Sequence, residues 1–303
     1  MIHDMQVHLH PSPNFAGTPT LIEEDEALTP PFGRPCRTYA GAILCFLERD
    51  EWMMVDALVS PQHTILELGA RFGTTSCRLA RATNNSGNVI SVDPDVRTTK
   101  YLLRNRGRHH CNFLAVSGTV SAASLRMGPR SSYGQRTIAG GSSESAVPNF
   151  SLQDVERHVG SRINALLIDC EGCIGMVLQI PKLLSQVELI LIEEDMYIRN
   201  GTGANPDECI VDYRVWHHRM RQEGFVQVWR SHDTHSPRRD IWSRYLYHSA
   251  WRRPSLSAAF QDGEANLCIA HKKAHKLPKH LLNCAPLDEG PWDPSNIRGG
   301  MRR

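Results

Sequence analysis

The sequence predicts an α/β fold: a Rossmann-like, doubly wound, mostly parallel sheet with helices on both faces. Short apolar runs alternate along the chain with segments of helical period, which is the pattern of βαβ units. The runs "ILEL", "NVISVD", "NALLID" and "VELILIEE" are almost continuously apolar, as strands covered on both faces must be. A third observation is the turn "ELGARFG", residues 67–73, which joins the first run to a helix, with Asp93 closing the next run. In doubly wound sheets that first strand-to-helix turn lies where ligands bind, outside the carboxyl ends of the strands.

Residues 1–35 are rich in Pro, His and acidic residues without periodicity, and read as an irregular extension. Ile43, Leu47, Met54 and Leu58 then fall on one helical face, which predicts a helix from Tyr39 to Leu58 broken by Pro61. After the first strand, hydroxyl residues from Thr74 onward read as helix caps. Val96, Thr99 and Leu103 share the face of the next helix, and Gly107 closes it. "NFLAVS" is a third strand, followed by a polar Ser/Gly-rich insertion at 118–150 that reads as loop. Ser151 caps a further helix, "NALLID" is the fourth strand, a helix runs from about Cys173 to Ser185, and "VELILIEE" is the fifth strand. Asn205, Pro206 and Glu208 open a helix whose apolar face is Tyr213, Trp216 and Met220, with Gly224 as its stop. "FVQVWR" and "NLCIAHKK" read as the last two strands, separated by a long insertion at 231–264.

The chain has 303 residues, 41% hydrophobic and 22% charged, with a formal net charge of +2. That is the composition of a globular protein, and the charge is too small to argue for nucleic acid or anionic membrane. No apolar run reaches the ~18 residues that cross a bilayer, and the first residues lack a secretory pattern. Nine scattered cysteines, an odd number, suit reduced buried thiols rather than a disulfide framework, so a cytoplasmic location is expected.

In the turn, Gly69 and Gly73 allow a ligand to approach the backbone, and Asp93 is placed to accept from two ribose hydroxyls. The Glu-x-Gly-x-x-x-Gly spacing is not the Gly-x-Gly-x-x-Gly of dinucleotide binders, and no Tyr-x-x-x-Lys is present, which disfavours an NAD(P)-dependent oxidoreductase. These motifs resemble those of the FkbM-type S-adenosylmethionine-dependent methyltransferases. "ELGARFG" is similar to that family's first motif, with Arg71 in place of Asn, and Asp93-Pro94 to its second. "AVSG", 115–118, looks like its third strand with Gly118 replacing an acid. "SLQDV" followed by "LLIDCEGC" is similar in order and spacing to its Thr-Leu-Asp-x-Leu and Ile-Asp-Val-Glu-Gly segments, and Glu193 matches the acid closing the fifth strand.

The resemblance spans roughly residues 60–271 and implies a seven-stranded methyltransferase domain at 36–271, followed by a basic tail at 272–303. It implies S-adenosylmethionine as cofactor, held by Glu67, Gly69, Ala70, Arg71, Gly73, Asp93, Pro94 and Ser117. It further implies methyl transfer to a hydroxyl of a small molecule or glycan, with Asp169 and Glu171 as catalytic residues at the carboxyl end of the fourth strand. Asp169 as a helix cap with Glu171 in solvent is the bland alternative.

No metal ligands are assigned, and no stoichiometric zinc is expected. Cys170 and Cys173 form a Cys-x-x-Cys pair that could be redox-active or half a zinc site, but no second pair of zinc spacing exists. Asp169, Glu194 and Asp195 could converge on a divalent ion, whereas His232 and His235 read as loop residues and His109-His110 and His217-His218 as ordinary helix histidines. The stretch 229–254 carries six Arg against two Asp among aromatics, so it could line an anionic pocket, bind RNA, or make the protein a non-catalytic basic binding module. The segment 231–264 reads as a lid over the acceptor.

Overall fold

The computed structural model describes residues 35–38, 41–44, 49–130, 135–140, 146–170, 173–177, 179–195, 213–232 and 246–254. Two short strands, β1 (Pro35–Thr38) and β2 (Gly41–Leu44), pair antiparallel ahead of α1 (Arg49–Leu58). Of the helix expected from Tyr39 to Leu58, Gly41–Leu44 is instead a strand paired with β1, and Arg49–Leu58 is helical. The chain continues through β3 (Ile65–Leu68), α2 (Thr74–Ala82), β4 (Val89–Asp93), α3 (Val96–Arg108) and β5 (Leu114–Ser117).

The polar insertion at 118–150 is structured in part. It contains β6 (Thr119–Val120), the hairpin of β7 (Leu125–Arg130) with β8 (Gln135–Ala139), and β9 (Asn149–Phe150). The core then resumes with α4 (Leu152–Val159), β10 (Ala165–Ile168), the short helices α5 (Ile174–Val177) and α6 (Leu183–Gln186), β11 (Leu189–Asp195), α7 (Tyr213–Gln222), β12 (Val226–His232) and β13 (Leu246–Arg252). The single helix expected over 173–185 is two four-residue turns, with Pro181 between them and Lys182 in a left-handed conformation.

The main sheet has seven strands in the order β12-β13-β11-β10-β3-β4-β5, parallel except for β13. Strict alternation along the strands divides the core in two. Leu66, Leu68, Leu166, Ile168, Ile190, Ile192 and Trp251 pack on one face with Val155 of α4 and Trp216 and Met220 of α7. Ile65, Val89, Ala165, Leu167, Leu189, Leu191 and Ala250 pack on the other with Met54 and Leu58 of α1, Leu79 of α2 and Leu102 of α3. Helices thus cover both faces, as expected.

One expectation about the end of the sheet changes. The segment 231–264 is not wholly a lid, because Leu246–Arg252 is β13, inserted between β12 and β11 with Trp251 fully buried. "NLCIAHKK", the tail at 272–303 and the helix start at 205–208 lie outside the described residues. The reduced-thiol expectation is also corrected: Cys77 of α2 is disulfide-bonded to Cys111 ahead of β5, and Cys170 to Cys173. The first pair is buried and joins neighbouring core elements far apart in sequence, which no local spacing signals. Among the described residues no helix is long and apolar enough to cross a membrane.

Candidate functional site

From β3 the chain winds outward to β4 and β5, then returns to place β10 and β11 on the other side of β3. The topological switch point therefore lies between β3 and β10, and ligands of doubly wound sheets bind at that point, outside the carboxyl ends of the strands. The two strands meet at Gly69 and Asp169. The Asp169 amide donates to the Leu68 carbonyl at 2.9 Å, and a Cβ on Gly69 would stand 1.5 Å from the Asp169 carbonyl oxygen. Gly69, at φ +100°, is thus required by the approach of a neighbouring strand. That differs from the expected reason, which was ligand access.

The turn that follows is held by β4. The amides of Gly69 and Ala70 both donate to the Val92 carbonyl, at 2.9 and 3.0 Å. Arg71 has φ +44°, and its amide donates to Asp93 Oδ2 at 2.8 Å. Gly73, at φ +84°, caps α2, and a Cβ there would press on Leu102. No side chain caps α2, since its N-cap is Gly73, and two of its first-turn hydroxyls are turned to acids. Thr75 donates to Glu51 Oε2 at 2.8 Å and Ser76 to Glu67 Oε2 at 2.5 Å, both buried. Glu67 therefore ties β3 to α2 from beneath the turn.

Asp93 is 7% exposed and accepts three hydrogen bonds: Arg71 N on Oδ2, and Asp95 N at 2.9 Å and Thr98 Oγ1 at 2.8 Å on Oδ1. A carboxylate has about four lone-pair positions, so one remains on Oδ2. Burial pushes its carboxyl up from the ordinary range; the Thr98, Asp95 and Arg71 hydrogen bonds act against burial, and the charge of Asp95 adds to it. Asp93 thus organises the turn through Thr98 and Arg71, a role that its position alone did not signal. Pro94 is half-buried beside it, and Ser117, opposite Asp93 on β5, accepts from Thr99 at 3.0 Å. At Gly118 a side chain would meet the Pro148 carbonyl at 2.5 Å, so the acid of the resembled motif has no room here.

Asp169 is half-buried at the end of β10 and directly follows Ile168, whose partner in the register is Ile192 of β11. Glu171 lies outside the described residues. The convergence of Asp169 with Glu194 and Asp195 on an ion does not survive for Glu194. Fully buried on the α7 face, Glu194 accepts from Ser249 Oγ at 2.5 Å and Arg230 at 2.8 Å, and pairs with His217 Nε2 at 2.8 Å. Burial by itself would raise its carboxyl, but the His217 hydrogen bond and charge, Arg230 and Ser249 outweigh it and hold the carboxyl below the usual value. His217, expected on a helix surface, is 1% exposed. Arg253, one of the basic residues read as pocket-lining, donates instead to the carbonyls of Val187, Glu223 and Leu184.

No protein-family model matches the chain, and no curated protein matches it. Solved structures similar to it include an rRNA methylase from Streptococcus thermophilus, 10% identical, covering 67% of this chain and 93% of that one at a TM-score of 0.40. An O-methyltransferase from Bacillus cereus in complex with SAH is 11% identical, covering 68% of this chain and 81% of that one at 0.37. Fibrillarin from Aeropyrum pernix with natively bound S-adenosyl-L-methionine is 14% identical, covering 67% of this chain and 74% of that one at 0.40.

Proposed function

We propose that the protein is an S-adenosylmethionine-dependent methyltransferase acting on a hydroxyl of a small molecule or glycan. The observation that carries this reading is the switch point itself: a glycine turn clamped to Asp93 on one side and, across β3, Asp169 at the carboxyl end of β10. The open acceptor position on Asp93 Oδ2 fits a ribose hydroxyl. Gly69, Ala70, Arg71 and Gly73 would shape the wall against the cofactor, braced from beneath by Glu67, with Pro94 and Ser117 on the flank toward β5. When bound, the cofactor supplies a methyl on a positively charged sulfur, a donor that is already activated.

The chain's own task is then placement and proton removal. Asp169 would accept the proton of an acceptor hydroxyl, or fix that hydroxyl's direction, and Glu171 is proposed beside it. The three seams that hold the turn, Val92 O, Asp93 and the Glu67–Ser76 contact, set its shape before ligand arrives, which lowers the ordering cost of binding.

Calorimetric titration with S-adenosylmethionine and separately with NAD tests the cofactor, and transfer of labelled methyl to hydroxylated small molecules, glycans and RNA tests the acceptor. One-to-one binding of S-adenosylmethionine without NAD binding is expected, with label appearing on a hydroxyl. Binding of NAD alone would overturn the reading, and label only on RNA bases would overturn the acceptor.

A further inference from the structure

We propose that Glu51, Glu193 and His248 form a binding site for a divalent first-row transition cation of the Mn2+ or Zn2+ kind. The three come from α1, the end of β11 and β13, on the sheet face covered by α1 and α2. His248 lies directly opposite Glu193 in the antiparallel register of β13 with β11. One ligand atom from each residue lies within 4.8 Å of the other two.

The second observation is the state of the imidazole. His248 is 1% exposed, and neither ring nitrogen makes a hydrogen bond among the described residues. Its Nε2 stands 3.7 Å from Glu193 Oε1 and its Nδ1 3.8 Å from Asp50 Oδ2. Both separations are too long for a hydrogen bond. Two ligands ~2.1 Å from one ion in tetrahedral geometry stand ~3.4 Å apart, so the Nε2 to Glu193 spacing suits an ion held between them.

The surroundings fit the same arrangement. A metal-bound histidine usually gives its other ring N–H to a carboxylate, and Asp50 faces Nδ1 in that position. Glu51 is held in place by the 2.8 Å hydrogen bond from Thr75. Glu193 is 16% exposed at its side chain and provides the opening, whereas Asp50 and Glu51 are each 2% exposed. One imidazole with two carboxylates favours Mn2+, Fe2+ or Zn2+ over Mg2+ or Ca2+, which prefer oxygen donors alone. The inference goes beyond the methyltransferase reading and does not need it, because binding is measured without cofactor.

The test is calorimetric titration of the chelator-treated full chain with Mn2+, Zn2+ and Mg2+, joined to pulsed EPR on the Mn2+ form. One Mn2+ or Zn2+ per chain is expected, at least tenfold tighter than Mg2+, with a nitrogen coupling from the imidazole. Glu193→Gln, at the open end of the site, should weaken Mn2+ at least tenfold, and Thr75→Val, which releases Glu51, should weaken it about 10- to 100-fold. His248→Gln should abolish the nitrogen coupling; should that variant fail to fold, the wild-type coupling and the Glu193→Gln titration still decide. Absence of stoichiometric binding, a bound Mn2+ without nitrogen coupling, or undiminished affinity in Glu193→Gln would overturn the site.

Discussion

Asp93→Asn separates the two roles that the carboxylate combines. The amide oxygen can occupy the place of Oδ1 and keep the Asp95 amide and the Thr98 hydroxyl, but its nitrogen then faces the Arg71 amide, donor against donor. One charge-assisted hydrogen bond becomes a repulsive contact, worth about 1.5–3 kcal/mol. Burial already disfavours the ionised carboxylate, so neutralising it returns part of that loss. A net destabilisation of about 2 kcal/mol follows, measurable as a lowered urea midpoint. Because Arg71 is a non-glycine residue held at positive φ in the turn, its release deforms the wall proposed for the cofactor, and the acceptor position proposed for the ribose on Oδ2 is lost to the amide nitrogen. Affinity for S-adenosylhomocysteine by calorimetry should fall about 30-fold, which is about 2 kcal/mol. Unchanged affinity in a folded, destabilised variant would refute the placement of the cofactor at this turn; lost affinity at full stability would refute the organising role of Asp93.

Asp169→Asn should leave cofactor affinity within about threefold and lower kcat, as expected of a group acting on the acceptor alone, and loss of cofactor binding instead would move Asp169 to the cofactor wall. Glu194→Gln should cost about 3–5 kcal/mol at pH 7 in urea unfolding, since it leaves Arg230 and His217 around a neutral group. Glu194 titrates below its ordinary value when folded, so its contribution is complete above pH ~4.5 and is lost as the pH falls through the folded value; the gap between variant and wild type should close there. His63, whose Nδ1 accepts from the Ser60 amide, is held neutral by burial with its pKa lowered from 6.5 to about 4. The unfolded chain therefore binds the extra proton first, and stability should drop by about 2 kcal/mol between pH 7 and pH 5, a slope that His63→Asn removes. A flat stability between those two values would refute the burial of a neutral imidazole.

The parallel core was legible because its chemistry is local to each strand. A strand covered on both faces must be apolar at every position, so β3, β4, β10 and β11 stand out, and the Ser151 capping box and the buried Tyr213, Trp216 and Met220 stripe of α7 follow equally local rules. The antiparallel β13 was missed for the converse reason. In "LYHSAWR" the buried positions carry His, Ser, Ala and Trp, because His248 faces carboxylates, Ser249 faces Glu194 and Trp251 fills the α7 side. Nothing in that run is periodic in hydrophobicity until its partners are known. The same holds for the Cys77–Cys111 bridge and the Glu51, Glu193 and His248 group, whose members meet only after the sheet has formed.

Gly69 shows how a correctly located motif can carry a different physical cause. A glycine at that point in the sequence is equally compatible with a ligand pressed against the backbone and with a neighbouring strand pressed there, since both require only the missing Cβ. The 1.5 Å approach of the Asp169 carbonyl decides for the strand. That answer links the two halves of the proposed site: with a larger residue at position 69, β10 could not end where it does, and Asp169 would be displaced relative to Asp93. Gly69→Ala should therefore impair the Asp169 side of the site together with the turn, lowering kcat and cofactor affinity at once, whereas a glycine serving ligand approach alone would lose affinity with the β10 register intact. Amide exchange at Asp169, whose N–H is bonded to Leu68, distinguishes the two: faster exchange in the variant is expected, and unchanged protection would refute the coupling.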